Sequence, residues 1–136
     1  EVDGCPLYTN DDFLVANQQL ADITNKYPKL DAFVPTGGFP QFAPEAYKKI
    51  AEKLKPRIDD KSLALVVADT LPVQMQFLKD GLSLGQVGQR PFEMGYKTMF
   101  FLKDMKDGKA GPKDPTYTGL DVCTPANAAT CIGGGA

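Results

Sequence analysis

Histidine is missing from this sequence altogether. Its absence removes Ser-His-Asp catalysis, Cys-His catalysis and imidazole metal ligands together. A basic excess is missing too: 15 Lys and Arg stand against 17 Asp and Glu, for a net charge of −2. No electrostatic footprint for nucleic acid or an anionic membrane follows from such a balance. No apolar run approaches the ~20 residues that span a bilayer. The opening residues, EVDG, are acidic rather than the basic-then-apolar start of a signal peptide. That start fits a mature terminus left by cleavage or a cut inside a longer protein.

Cysteine is scarce: Cys5, Cys123 and Cys131. Three dispersed cysteines without histidine lack the ligand spacing of a zinc site. Cys123 and Cys131 lie in DVCTPANAATC, a short polar loop. They are either a disulfide that pins the C-terminal tail, which implies an oxidising compartment, or two free thiols. The bridge is the preferred reading. Cys5, in a strand-like context, reads as a small buried hydrophobe rather than a reactive thiol.

What is present is ordinary for a globular chain. The 136 residues are 43% hydrophobic and 24% charged, enough for one domain around one core. VDGCPLY, residues 2–8, is short and β-prone, and TNDD supplies a run of N-cap residues. Phe13, Ala16, Leu20 and Ile23 then repeat at helical spacing until Pro28. DAFVPTGG, residues 31–38, reads as a buried strand entering a glycine turn. APEAYKKIAEKLKP, residues 43–56, is an amphipathic helix with proline in its first turn. KSLALVVAD has the continuous apolar run of a parallel strand covered on both faces. LPVQMQFLKDG is the next helix, and LSLGQVGQ, residues 82–89, the next strand. Residues 91–108 form a further helix from proline to glycine, and TYTGLDVC a last strand. The closing IGGGA reads as a flexible tail. Strict alternation of strand and helix predicts an α/β fold: three layers, a mostly parallel sheet with helices on both faces.

In open α/β sheets, ligands bind beyond the carboxyl ends of the strands. Four strand-to-helix junctions qualify: Thr9–Phe13, Thr36–Phe39, Asp69–Thr70 and Gln89–Phe92. Their carboxylates, amides, hydroxyls and aromatics suit a neutral polyhydroxylated ligand, since an aromatic face covers the C–H side of a sugar ring. Plainer readings exist for each. Asp69 can cap the helix after it. Gln89 can be a solvated loop residue. The spacing of Phe13 favours the core, and TGGFP can be only a turn. A flavodoxin-like phosphate loop does not fit the acidic YTNDD. A receiver domain would need a lysine at a late strand end, and none is there.

The stretches LALVVADTLPVQMQFLKDG, LGQVGQRPFEMGYKTMFFLKDMKDG and YTGLDV together resemble the C-terminal half of type I periplasmic sugar-binding proteins. That superfamily includes the ribose-binding, galactose-binding and lac-repressor-like proteins. NDDFLVANQQLADITNKYPKLDAFVPTGG is similar to its helix-then-strand segment, so the likeness covers nearly the whole chain. The pattern V-A-D-T-x-P before G-Q-x-P-x-x-M-G is the most specific part. The resemblance implies that Asp69 and Gln89 hydrogen-bond sugar hydroxyls and that Phe13 lines the ring. Thr36 and Gly37 complete the candidate ligand set, although TGG stands where ribose-binding members have Asn-Asp. Specificity therefore need not be for ribose.

The resemblance also implies a division of the chain. Residues 1–90 correspond to the sugar-binding segment of the C-terminal lobe. Residues 91–108 correspond to a helix that crosses to the other lobe, and 109–136 to a return strand and tail. The N-terminal lobe, the first strand and helix of the C-terminal lobe, and an arginine usual there are all absent from this sequence, so a fragment is expected. The apolar side chains Phe92, Met99, Phe100 and Leu102 must then fold onto the remaining sheet or meet a second copy in a homodimer. The implied function is binding without chemistry: a solute-binding protein, not an enzyme, of an ABC-type importer. It would be periplasmic, with a sugar or cyclic polyol as ligand and a membrane permease as partner. No cofactor, metal or nucleic acid is implied. The alternatives are the effector domain of a lac-repressor-type regulator and a small flavodoxin-like domain.

Overall fold

A computed structural model describes residues 2–132, and the glycine tail read at the C-terminus lies almost wholly outside those described residues. The first helix, α1 (Phe13–Lys26), begins where the N-cap run predicts. Asp12 Oδ1 accepts from the backbone N–H groups of Leu14 (2.8 Å) and Val15 (3.0 Å). This satisfies two of the donors that a helix start leaves open. After it come β1 (Ala32–Phe33), a 3-10 turn at Phe39–Phe42, α2 (Pro44–Asp59), β2 (Ala64–Ala68), α3 (Pro72–Lys79), β3 (Gly85–Gly88), α4 (Pro91–Lys106) and β4 (Asp121–Cys123). The sheet runs β1-β2-β3-β4, with the first three strands parallel and β4 antiparallel to β3. This is the mostly parallel α/β sheet that the alternation predicts.

Several local expectations are corrected. Residues 2–8 form turns rather than a strand. Gly4 turns the backbone left-handed (φ 91°), and Pro6 has no N–H for a ladder. The sheet therefore has four strands among the described residues, not five, and Cys5 is a half-buried free thiol outside any strand. The β1 strand is far shorter than residues 31–38, because TGGFP winds into the 3-10 turn. Helix α2 passes through Pro56 to Asp59, since the Asp60 N–H still reaches the Pro56 carbonyl at 3.1 Å.

The core gathers Leu20, Tyr47, Ala51, Ile58, Leu65, Val67, Phe77 and Leu82. Strand β2 alternates accordingly: Leu65 and Val67 are fully buried, while Ala64, Val66 and Ala68 are half-buried on the other face. Cys123 and Cys131 form a disulfide, which packs with Met75 and Leu78 of α3 in a second apolar cluster. Closing so short a loop is worth about 2–3 kcal/mol in the chain-entropy account. Arg90 braces the same strand from above. Its Nη2 (2.8 Å) and Nε (3.1 Å) both donate to Oδ1 of the buried Asp121. That bond raises the Arg90 pKa further.

Helix α4 is the exception to this packing. None of its residues is buried. The expectation that its apolar side could fold back onto the sheet is not met. The loop 112–118 instead borders the Met94, Thr98 and Phe101 side.

Tyr47 joins packing to hydrogen bonding. Its ring lies 4.8 Å from that of Phe77, and its hydroxyl donates to the Leu82 carbonyl at 2.6 Å. Burial pushes its pKa well above the ordinary value of 10. A raised pKa means that the native state holds the proton more tightly. The resulting stability is complete below the unfolded tyrosine's pKa of about 10 and falls as pH rises above it. Tyr47→Phe should cost about 1–2 kcal/mol in urea unfolding at neutral pH and flatten the loss of stability above about pH 10. An unchanged alkaline slope would contradict this role for Tyr47.

Candidate functional site

The parallel strands β1, β2 and β3 end on one rim. Asp69 follows the last residue of β2, and Gln89 follows the last residue of β3. The Asp69 N–H still donates to the Val87 carbonyl (2.8 Å), so the ladder holds up to the rim. Asp69 then takes a left-handed backbone (φ 73°), a conformation that aspartate tolerates better than most residues. This kink aims its carboxylate sideways across the rim rather than along α3. The cap reading of Asp69 is therefore corrected. The N-cap of α3 is Leu71, whose N–H donates to Gln74 Oε1 at 3.0 Å.

The Asp69 carboxylate meets both neighbouring junctions. Oδ2 accepts from the Gly38 N–H at 3.1 Å, and Oδ1 accepts from Gln89 Nε2 at 2.8 Å. Gln89 is thus exposed but held. Two glycines make the close approach possible. A Cβ on Gly38 would lie 2.6 Å from Phe42 Cζ and 2.8 Å from Gln74 Nε2. A Cβ on Gly88 would lie 2.6 Å from Thr70 Oγ1.

Phe13 opens α1 at the side of this rim and is 41% exposed, so the core reading from its spacing is corrected. Its ring stacks near Phe39 (6.2 Å between centroids) and meets Phe42 edge-on (5.4 Å). The aromatic group is pinned from below by Asn17, whose Nδ2 donates to the carbonyls of Phe13 (2.9 Å) and Pro40 (2.7 Å). Thr36 is exposed and Gly37 half-buried beside Phe39. Thr36 lines the mouth of a groove of about 920 Å³ that runs between residues 2–11, α1 and β1. The rim thus unites Asp69, Gln89 and the glycine turn directly, sets Phe13 beside Phe39 after that turn, and leaves Thr36 at the margin.

Beneath the rim lies a chain of buried amides that the sequence reading missed. Gln74 Nε2 donates to the Ala68 carbonyl (2.8 Å) and to Gln41 Oε1 (2.9 Å). With its amide turned to suit its neighbours, Gln86 accepts from Gln41 Nε2 (2.8 Å) and donates to the carbonyls of Val67 (2.9 Å) and Asp69 (3.1 Å). All three glutamines are fully buried. Phe42 was missed as well, while Gly38 and Phe39 lie inside the Thr36–Phe39 junction without having been singled out as contacts. The one signal for them was the density of Gly, Pro and aromatic residues in TGGFPQF. Among the described residues, no cluster of three or more His, Cys, Asp or Glu could hold a metal ion.

No protein-family model matches the sequence, and no curated protein matches it. Solved structures do. A glucose-galactose binding protein from Geobacillus stearothermophilus, GanP, superposes with a TM-score of 0.67 at 24% identity, over 85% of this chain and 39% of its own. An ABC transporter solute-binding protein from Agrobacterium vitis, bound with alpha-D-tagatopyranose, superposes at 0.72 and 20% identity, over 91% of this chain and 39% of its own. The chain shares its fold with one part of these solved proteins. A second A. vitis solute-binding protein, with bound D-fucose, gives 0.71 at 20% identity, over 92% of this chain and 41% of its own. The chain thus spans about two fifths of the length of the solved proteins it matches. At these identities the likeness is one of fold, and it agrees with the resemblance read from the sequence.

The close packing at Gly38 makes a local prediction. Gly38→Ala must displace Phe42 and Gln74 and should destabilise by about 1–3 kcal/mol. Gly37→Ala meets only the half-buried Phe39 ring, 2.5 Å from Cε2, which can move outward. Urea unfolding of the two variants should rank Gly38→Ala well below Gly37→Ala. Equal midpoints would count against the packing described for the rim.

Proposed function

We propose that the chain is the sugar-binding lobe of a solute-binding protein serving an ABC-type importer. The observation that carries this reading is the Asp69 carboxylate, held between the Gly38 N–H and the Gln89 amide on an open rim beside Phe13 and Phe39. A carboxylate fixed by two donors keeps unused lone pairs directed outward, where they can accept from adjacent ligand hydroxyls. Gln89 adds an amide oxygen, and the phenylalanines offer a face to the C–H side of a ring. The solved proteins that share the fold, a glucose-galactose binding protein and solute-binding proteins holding alpha-D-tagatopyranose and D-fucose, support the same ligand class.

Binding without turnover fits this group. The rim has no paired titratable residues in opposed environments, the usual mark of acid-base chemistry. Asp69, Gln89, Phe13, Thr36 and Gly37 are read as ligand contacts for a sugar or cyclic polyol, with no cofactor and no nucleic acid. The working location is the periplasm, where the buried Cys123–Cys131 bridge is chemically at home. The partner is the importer's membrane permease. No helix among the described residues is long and apolar enough to cross a membrane.

The test is calorimetric titration with a panel of pentoses, hexoses and inositols. One of them should give saturable heat. Asp69→Ala, shown by circular dichroism to be folded, should bind it about 10–100-fold more weakly, the value of a lost charge-assisted hydrogen bond. Undiminished binding by Asp69→Ala, or no binding of any of these ligands by the folded chain, would contradict the reading.

A further inference from the structure

Thr70 follows Asp69 at the end of β2 and is half-buried. Its side chain reaches across to β3 and lies on the backbone of Gly88, the residue before Gln89. A Cβ built on Gly88 would meet Thr70 Oγ1 at 2.6 Å, Cγ2 at 2.8 Å and Cβ at 3.3 Å, so the branched end of the side chain rests there. Two heavy atoms on Cβ leave threonine few rotamers, and the strand beneath holds Oγ1 in place. Among the described residues that hydroxyl has no hydrogen-bond partner.

We propose that Thr70 is a specificity-determining residue of the rim, whose hydroxyl takes the ligand hydroxyl next along the ring from those on Asp69. This role rests on the sugar reading and narrows the ligand to ring polyols with at least three adjacent hydroxyls. Each sugar hydroxyl both donates and accepts, whereas an ionised carboxylate only accepts. The donors nearest Asp69 are largely engaged. The Gly38 N–H and one Gln89 N–H donate to the carboxylate itself. Arg90 donates to Asp121 and Glu93. Beside the carboxylate, the second Gln89 N–H and the Thr70 O–H remain as side-chain donors. Ligand hydroxyls bound by the carboxylate alone would leave their oxygens without a donor, and a polar atom so stranded weakens binding. Thr70 supplies a donor where the ends of β2 and β3 meet.

The plainer role for Thr70 is packing, as a cover for Gly88. Side-chain chemistry separates the two. Valine keeps the branched shape and removes the hydroxyl. Serine keeps the hydroxyl and removes the methyl. A packing role makes serine the damaging substitution, and a ligand role makes it valine. A site that hydrogen-bonds a ligand hydroxyl also discriminates against the analogue lacking it, because its own polar group is then left unpaired.

Calorimetric titration of Thr70→Val and Thr70→Ser tests it, with each variant checked for folding by circular dichroism. The probes are the member of the pentose, hexose and inositol panel that gives saturable heat and the monodeoxy forms of that compound. Thr70→Val should bind the parent compound about 3–10-fold more weakly, the value of one neutral hydrogen bond, and Thr70→Ser should stay within about threefold of the native chain. One monodeoxy form should bind Thr70→Val and the native chain equally, which marks the hydroxyl that faces Thr70. Undiminished binding by Thr70→Val, with Asp69→Ala still weakened, would overturn the role of Thr70 and leave the sugar reading standing. Serine as weak as valine, or an equal loss with every monodeoxy form, would also overturn it and return Thr70 to packing. A native chain that binds no member of the panel would overturn the sugar reading and this role with it.

Discussion

Three strand ends converge on one carboxylate. Asp69 accepts from the turn after β1 and from the glutamine after β3, so a single side chain stitches the rim together. The arrangement depends on the left-handed backbone at Asp69, which turns the carboxylate across the sheet. A strand that ended in ordinary geometry would send it toward the following helix, as a cap. The constraint explains its neighbours. Gly38 and Gly88 have no side chain because the groups around Asp69 already occupy that space.

The platform below is rigid for a related reason. Buried amides are costly unless every donor and acceptor is matched. Gln74, Gln41 and Gln86 are matched to one another and to the carbonyls of Ala68, Val67 and Asp69. Their bonds fix the ends of β2 and β3 together with the 3-10 turn. A rim held in this way can present its hydrogen-bonding groups with little ordering left to do when a ligand arrives, and preorganisation of that kind is what lets few contacts give useful affinity.

Much of this was legible in the sequence. The helices, the alternation of strand and helix along the chain and the union of Asp69 with Gln89 at one rim follow from periodicity and from the rule that strand ends share an edge. The C-terminal disulfide followed from two cysteines in one polar loop. Other features were not legible, for physical reasons. The sign of φ at Asp69 is not written in ALVVADT, because aspartate serves equally as a cap. Phe13 has core spacing, yet it sits at the first turn of α1, where the helix face emerges at the rim. The buried glutamines look like surface residues until the fold closes over them. Residues 2–8 are β-prone in composition, but Gly4 and Pro6 prevent pairing.

The likeness to sugar-transport proteins extends over most of this chain and about two fifths of theirs. The central claim is that a sugar is held at the rim by Asp69 and Gln89. Amide chemical-shift mapping tests it most directly, by following the Gly38 backbone N–H and the Gln89 side-chain NH₂ as the bound sugar is added. The account predicts that both shift together, with one saturation curve, while the amides of the last turn of α2, beside the start of β1, stay fixed. Binding that leaves Gly38 and Gln89 unmoved and shifts residues elsewhere would contradict it.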